Sequence, residues 1–116
     1  MRHQNSKKIL GRLKQPREMM LRNLASSIII YEKLKTTEAK AKVVRSLVEK
    51  MITASKAGDL NARRKLLRML PQKLAVKKLM EVIGKRYQDK SSGYTRIIKL
   101  NSRVGDGARM VQIELV

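Results

Sequence analysis

From Thr37 to Gly58 the chain reads TEAKAKVVRSLVEKMITASKAG. At about 100° per residue, Val44, Leu47, Val48 and Met51 fall on one face, flanked by Val43, Ile52 and Ala54. Lys42, Arg45, Glu49 and Lys56 take the opposite side, and Glu38 precedes Lys42 as a favourable i,i+4 pair. Thr37 is placed to cap the first turn, Glu38 lies where the macrodipole favours a negative charge, and Gly58 offers the left-handed residue that ends the run. Start, period and stop agree on one helix. One side of it needs a core; the other is charged and largely cationic.

The remaining elements arrange themselves around that helix. Pro16 suits the first turn of a helix in which Met20, Leu21, Leu24, Ile28 and Tyr31 keep helical spacing, so Tyr31 reads as core. Lys33 to Thr36 is a short extended piece with Leu34 inward and lysines outward. Asp59 is placed to cap a helix to Leu70 that buries Leu66, Leu67 and Leu70 and ends at Pro71. The next, Gln72 to Ile83, buries Ala75, Leu79, Val82 and Ile83 and stops at Gly84. After the polar stretch 88–93 the period changes from helical to alternating. Ile98 and Leu100 alternate with Ile97 and Lys99, and Val111, Ile113 and Leu115 with Met110, Gln112 and Glu114. Val104-Gly105-Asp106-Gly107 lies between them, with glycines where positive φ is needed, which predicts a C-terminal β-hairpin. The fold class is α+β, in the order α-β-α-α-α-β-β. Residues 16–116 form a single domain with a small mixed sheet, and residues 1–15 form a basic N-terminal arm.

Charge gives this scaffold its purpose. With 28 lysines and arginines against nine acids, the chain carries +19 over 116 residues. That exceeds what solubility needs and works against compactness, so the excess is expected to face a polyanion. The opening from Met1 to Arg17 carries Arg2, Lys7, Lys8, Arg12, Lys14 and Arg17 before the first acid, Glu18. A second basic surface accumulates between Asp59 and Glu81, where Arg63, Arg64, Lys65, Arg68, Lys73, Lys77 and Lys78 meet no acid. There are no cysteines, which fits a reducing compartment without requiring one. The opening MRHQNSKKIL lacks the apolar centre of a signal peptide, and Ile28 to Tyr31, the longest apolar run, is too short to span a bilayer.

Catalytic and cofactor chemistry find no foothold. His3 is the only histidine, with neither cysteines nor clustered carboxylates near it, so no metal and no catalytic site is expected. The acids are scattered and lack the spacing of a two-metal nuclease. Gly105-Asp106-Gly107 precedes no helix and reads as a turn; Gly84-Lys85 lacks the rest of a phosphate loop. No cofactor and no small-molecule substrate are expected. There is no Phe or Trp, so a base-stacking platform for single strands is also missing; Tyr94 opens a strand, as either core or a lone stacking contact. The seven methionines read as gap-fillers. What remains binds by phosphate contacts and shape, and folded RNA suits it better than single strands.

Several motifs, in order, resemble the bacterial large-subunit ribosomal protein seventeen family. The chain opens MRH, then has LRNLASS from Leu21, YEKLKTTEAKAK from Tyr31 and ARRKL from Ala62. It closes with GYTRIIKL from Gly93, RVGDGARM from Arg103 and IELV from Ile113. Their order and spacing follow the family from one end of the chain to the other. The resemblance implies a component of the large ribosomal subunit that binds large-subunit rRNA, on the solvent side near the peptide exit region and beside other ribosomal proteins. It carries over Arg2, His3, Arg12, Arg22 and Asn23 as rRNA contacts, followed by Arg96 and Arg103. Lys7 stands where the family has glycine, and Leu13-Lys14-Gln15-Pro16 replaces a Thr-Ser-Ser-His stretch. With the arm and surface cations, the candidate RNA-binding set is Arg2, His3, Lys7, Lys8, Arg12, Lys14, Arg17, Arg22, Asn23, Lys35, Lys40, Arg63, Arg64, Arg96 and Arg103.

The competing class is an architectural DNA-binding protein of the nucleoid, which composition alone does not separate from an rRNA binder; a dimer core or minor-groove wedge would mark it. An RNA-modifying enzyme would need a cofactor loop or paired catalytic groups. A membrane-active cationic protein would need an amphipathic face rich in Trp or Phe, and no membrane partner is expected.

Overall fold

The computed structural model describes residues 14–116; the arm candidates Arg2, His3, Lys7, Lys8 and Arg12 lie outside the described residues. Helix α1 (Lys14–Tyr31) turns Ala25, Ile28 and Ile29 into the core. That choice of face corrects the expectation for Tyr31, which is 71% exposed. A face centred between Ile28 and Ile29 leaves Tyr31 roughly 110° away around the helix. Glu32 then takes a left-handed conformation, φ 66°, and its N–H closes the helix on the Ile28 carbonyl at 2.7 Å. The chain leaves directly into β1 (Lys33–Thr37), with Leu34 and Thr36 inward and Lys33 and Lys35 outward.

Helix α2 (Glu38–Ser55) buries Ala41, Val44, Val48, Met51 and Ile52, and Gly58 beyond it has the expected positive φ of 68°. Thr37 holds the N-cap position, but its hydroxyl makes no capping bond. The Glu38 N–H donates to the Arg109 carbonyl at 2.9 Å, so one N–H of the first turn finds its acceptor far along the chain. Asp59 does cap α3 (Leu60–Met69), accepting the Ala62 N–H at 2.8 Å. Ala62 and Leu66 set the buried face of α3, with Leu70 also buried just past its end, so Leu67 is 43% exposed rather than core.

The next helical segment departs most from expectation. It runs as α4 (Lys73–Lys78), then a π turn (Leu79–Ile83), then a last α turn (Gly84–Arg86). The Gly84 N–H reaches back five residues to the Leu79 carbonyl, and the extra residue rotates the face that follows. Val82, inward by regular spacing, is therefore 45% exposed, while Val76, Leu79, Ile83 and Tyr87 are buried. Gly84 is not a stop. It is helical, φ −57°, and buried against α2, where a Cβ would stand 2.9 Å from the Ser55 carbonyl oxygen.

Strands β2 (Thr95–Lys99) and β3 (Met110–Leu115) form the C-terminal hairpin, with Gly105 at φ 110° and Gly107 at φ 65° in its loop. The sheet order is β1-β3-β2 and both pairings are antiparallel, which corrects the expected mixed sheet. The last strand inserts between the other two and runs against both, so the two like-directed strands never pair. Val111, Ile113 and Leu115 point into the core that α1 and α2 cover. Tyr94 is fully buried, with its ring 5.2 Å from that of Tyr87, so it is core and not a stacking platform.

Candidate nucleic-acid interface

A chain this basic folds only if its few acids are well spent. Glu32 lies at the joint between α1 and β1, and its carboxylate binds Lys78 at 2.9 Å and also Arg86, clamping that joint onto the segment 73–86. The hydrogen bond from Arg86, and then that from Lys78, hold its pKa at about 2. Glu49 reaches from α2 to the start of β2, accepting from the Gly93 N–H at 3.1 Å and the Thr95 hydroxyl at 2.8 Å. Glu38 pairs with Lys42 at 2.9 Å and Glu114 with Arg96 at 3.3 Å. Asp106 braces the hairpin loop through Arg103, which holds its pKa at about 2. Glu32, Glu38, Glu49, Asp59, Asp106 and Glu114 thus act within the fold, while most lysines and arginines of the described residues face outward.

The candidate residues do not gather on one patch. Arg22 borders a groove of about 280 Å³ with Glu18, Leu21, Val43, Leu47 and Met69. Lys40 lies one turn before Val43 on that side of α2, and Arg17 and Asn23 belong to α1 beside it. Lys14 is the first residue of α1. Lys35 is exposed on β1, opposite Gln112. Arg63 and Arg64 are exposed on α3. Arg96 and Arg103 are exposed but already engaged by Glu114 and Asp106, so each also has a structural task.

The sequence did not single out Arg109 and Lys99. Arg109 meets the start of α2 and lines a shallow recess with Thr37, Glu38, Ala39 and Lys42. The bond from Lys42 chiefly lowers the Glu38 pKa, and the fields of Arg109 and Lys99 add to it. Only the register of β3 against β1, which brings Thr37 opposite Met110, could have revealed this grouping.

Among the described residues no His, Cys, Asp and Glu side chains group as metal ligands, and no helix is long and apolar enough to cross a membrane. Outward cations on several faces of a small α+β fold, without a base-stacking platform, define a structural nucleic-acid-binding protein. Residues 20–116 match the model of the ribosomal protein L17 family. The chain is 49% identical over all 116 residues to large ribosomal subunit protein bL17 of Trichlorobacter lovleyi, covering 94% of that protein. It is 54% identical over 107 residues to bL17 of Moorella thermoacetica, which spans 92% of this chain and 96% of the relative. The chain belongs to the ribosomal protein L17 family, as its motifs suggested. The family match begins at Met20, after the stretch where Lys7 and Leu13 to Pro16 depart from the family pattern.

Proposed function

We infer that the chain is a structural constituent of the large ribosomal subunit, acting in the bacterial cytoplasm within the ribosome, where it binds and stabilises folded large-subunit rRNA. It is not an enzyme. Family membership over residues 20–116 carries this reading, and the outward surplus of charge supplies the means. The finer reading is that the arm of residues 1–15, with Arg17, Arg22, Asn23, Lys35 and Lys40, contacts phosphates and helix grooves. Arg96 and Arg103 join them from their ion pairs, and the protein's neighbours are other large-subunit proteins near the exit region. Support for these contacts is physical: exposed guanidinium and ammonium groups displace condensed counterions from phosphate.

Salt dependence tests the contacts. If roughly ten phosphates are neutralised, log K for rRNA against log salt should slope at about −7 to −9. A slope shallower than about −3 would mean that few of these cations touch phosphate. RNase, and not DNase, should release the protein from its complex; the reverse result would favour a nucleoid role.

A further inference from the structure

Helix α3 carries apolar side chains where a phosphate-binding surface has no use for them. Leu60 is 60% exposed and Leu67 43%, and Leu74, in the first turn of α4, is 61% exposed. Leu60 and Leu67 lie two turns apart, within roughly 20° of each other around α3 and about 130° round from the midpoint of its buried Ala62 and Leu66. They form an outward ridge. Arg63 falls on one side of it and Arg64 and Arg68 on the other, all exposed, and no acid occurs between Asp59 and Glu81.

We propose that this ridge docks an acidic amphipathic helix of another protein, with apolar residues against Leu60 and Leu67 and carboxylates against Arg63 and Arg64. The pattern is that of a helix-pairing seam, in which an apolar stripe is flanked by charges that choose the partner. RNA would satisfy the arginines but leave the leucines facing sugar and phosphate. A second copy of the chain, docked ridge to ridge, would oppose arginine to arginine. Only a protein segment with the opposite charge suits both halves of the surface. The partner is met in the large subunit, so the proposal rests on the function inferred above.

The test uses the full chain in cells, with Leu67 replaced by p-benzoylphenylalanine and irradiated before lysis. Every gradient fraction is analysed, so absence from large subunits would count against the function while the adduct still decides the surface. The expected product is a protein adduct that survives RNase and maps to a net-negative segment with helically spaced apolar residues. Combining the probe with Arg63→Glu and Arg64→Glu should cut its yield roughly tenfold by turning attraction into repulsion, without lowering the melting temperature. Lys42→Asp, on α2, should leave the yield unchanged. An RNase-sensitive adduct would make rRNA the occupant. That result, no adduct, an adduct to a basic segment or to a second copy, or a yield indifferent to the arginine reversals would each overturn the proposal.

Discussion

Gly84→Ala sets two effects of known sign against each other. In an ordinary helix interior, alanine is favoured over glycine by about 1 kcal/mol. Here the new Cβ would lie 2.9 Å from the Ser55 carbonyl oxygen, 3.0 Å from the Leu79 carbonyl oxygen and 3.1 Å from Ser55 Oγ. The first two are backbone atoms and cannot swing aside. Relief requires the last turn to move off α2 or the π turn to rearrange, and overpacking of this kind costs about 1–3 kcal/mol. The clash should match or outweigh propensity, leaving a net loss of up to about 2 kcal/mol. For a domain near this size that lowers the melting temperature by up to about 12 °C, read by far-UV circular dichroism. Ser55→Ala should not rescue it, since only the Oγ contact would go. Gly58→Ala is the contrasting control: nothing lies within 4 Å, and its cost comes from φ alone. A raised melting temperature for Gly84→Ala would refute the close approach of the two helical segments.

Two further outcomes follow from the charges. The paired Glu32 carboxyl is held at about 2 in the folded protein against an ordinary 4.5, so its contribution is complete above about pH 4.5 and is lost as pH falls toward about 2. Because the side chain is 37% exposed, that contribution is discounted to about 1 kcal/mol, and Glu32→Gln should flatten the acid limb of a urea-unfolding pH series; an unchanged limb would show that the clamp is idle. Deleting residues 2–13 removes four cations and no acid, so it should flatten the salt slope of rRNA binding by roughly three to four log units per log salt with little change in melting temperature. A truncated protein with the parent's slope would assign the phosphate contacts to the folded domain.

The sequence made the elements legible wherever one periodicity ran without interruption. Helix α2 is the clearest case, since Val44, Val48 and Met51 keep one face and Gly58 takes the conformation its position required. The inward set of β3 was equally clear from strict alternation. The misreadings share a cause: each is a place where a tertiary neighbour overrides local spacing. Val82 turns outward because a π turn inserts a residue, and that turn accompanies the packing of Gly84 against Ser55, a contact invisible along the chain. Thr37 holds the N-cap position without a capping bond, while a distant backbone acceptor, the Arg109 carbonyl, meets the Glu38 N–H. At the interface, residue type revealed the cations but not their engagement. Nothing local tells that Arg96 faces Glu114, or that Glu32 serves Lys78 and Arg86 at once.

Where the acids lie also fixes how salt should act on the free protein. Glu32, Glu38, Glu49, Asp106 and Glu114 are ion-paired within the fold, and pairs this exposed are worth about 0–1 kcal/mol each. Against them stands a net charge of +19 over the 116 residues. Added salt shortens the screening length from about 10 Å at 0.1 M to about 3 Å at 1 M. Contacts near 3 Å are weakened only in part under that change, whereas repulsion between cations on different faces is nearly abolished. Salt should therefore raise the melting temperature of the free protein over the same range in which it weakens rRNA binding. Thermal unfolding in sodium chloride, with binding measured alongside, reads both signs. A melting temperature that falls steadily with salt would mean that the internal ion pairs outweigh the surplus, and that the outward cations are not what strains the free fold.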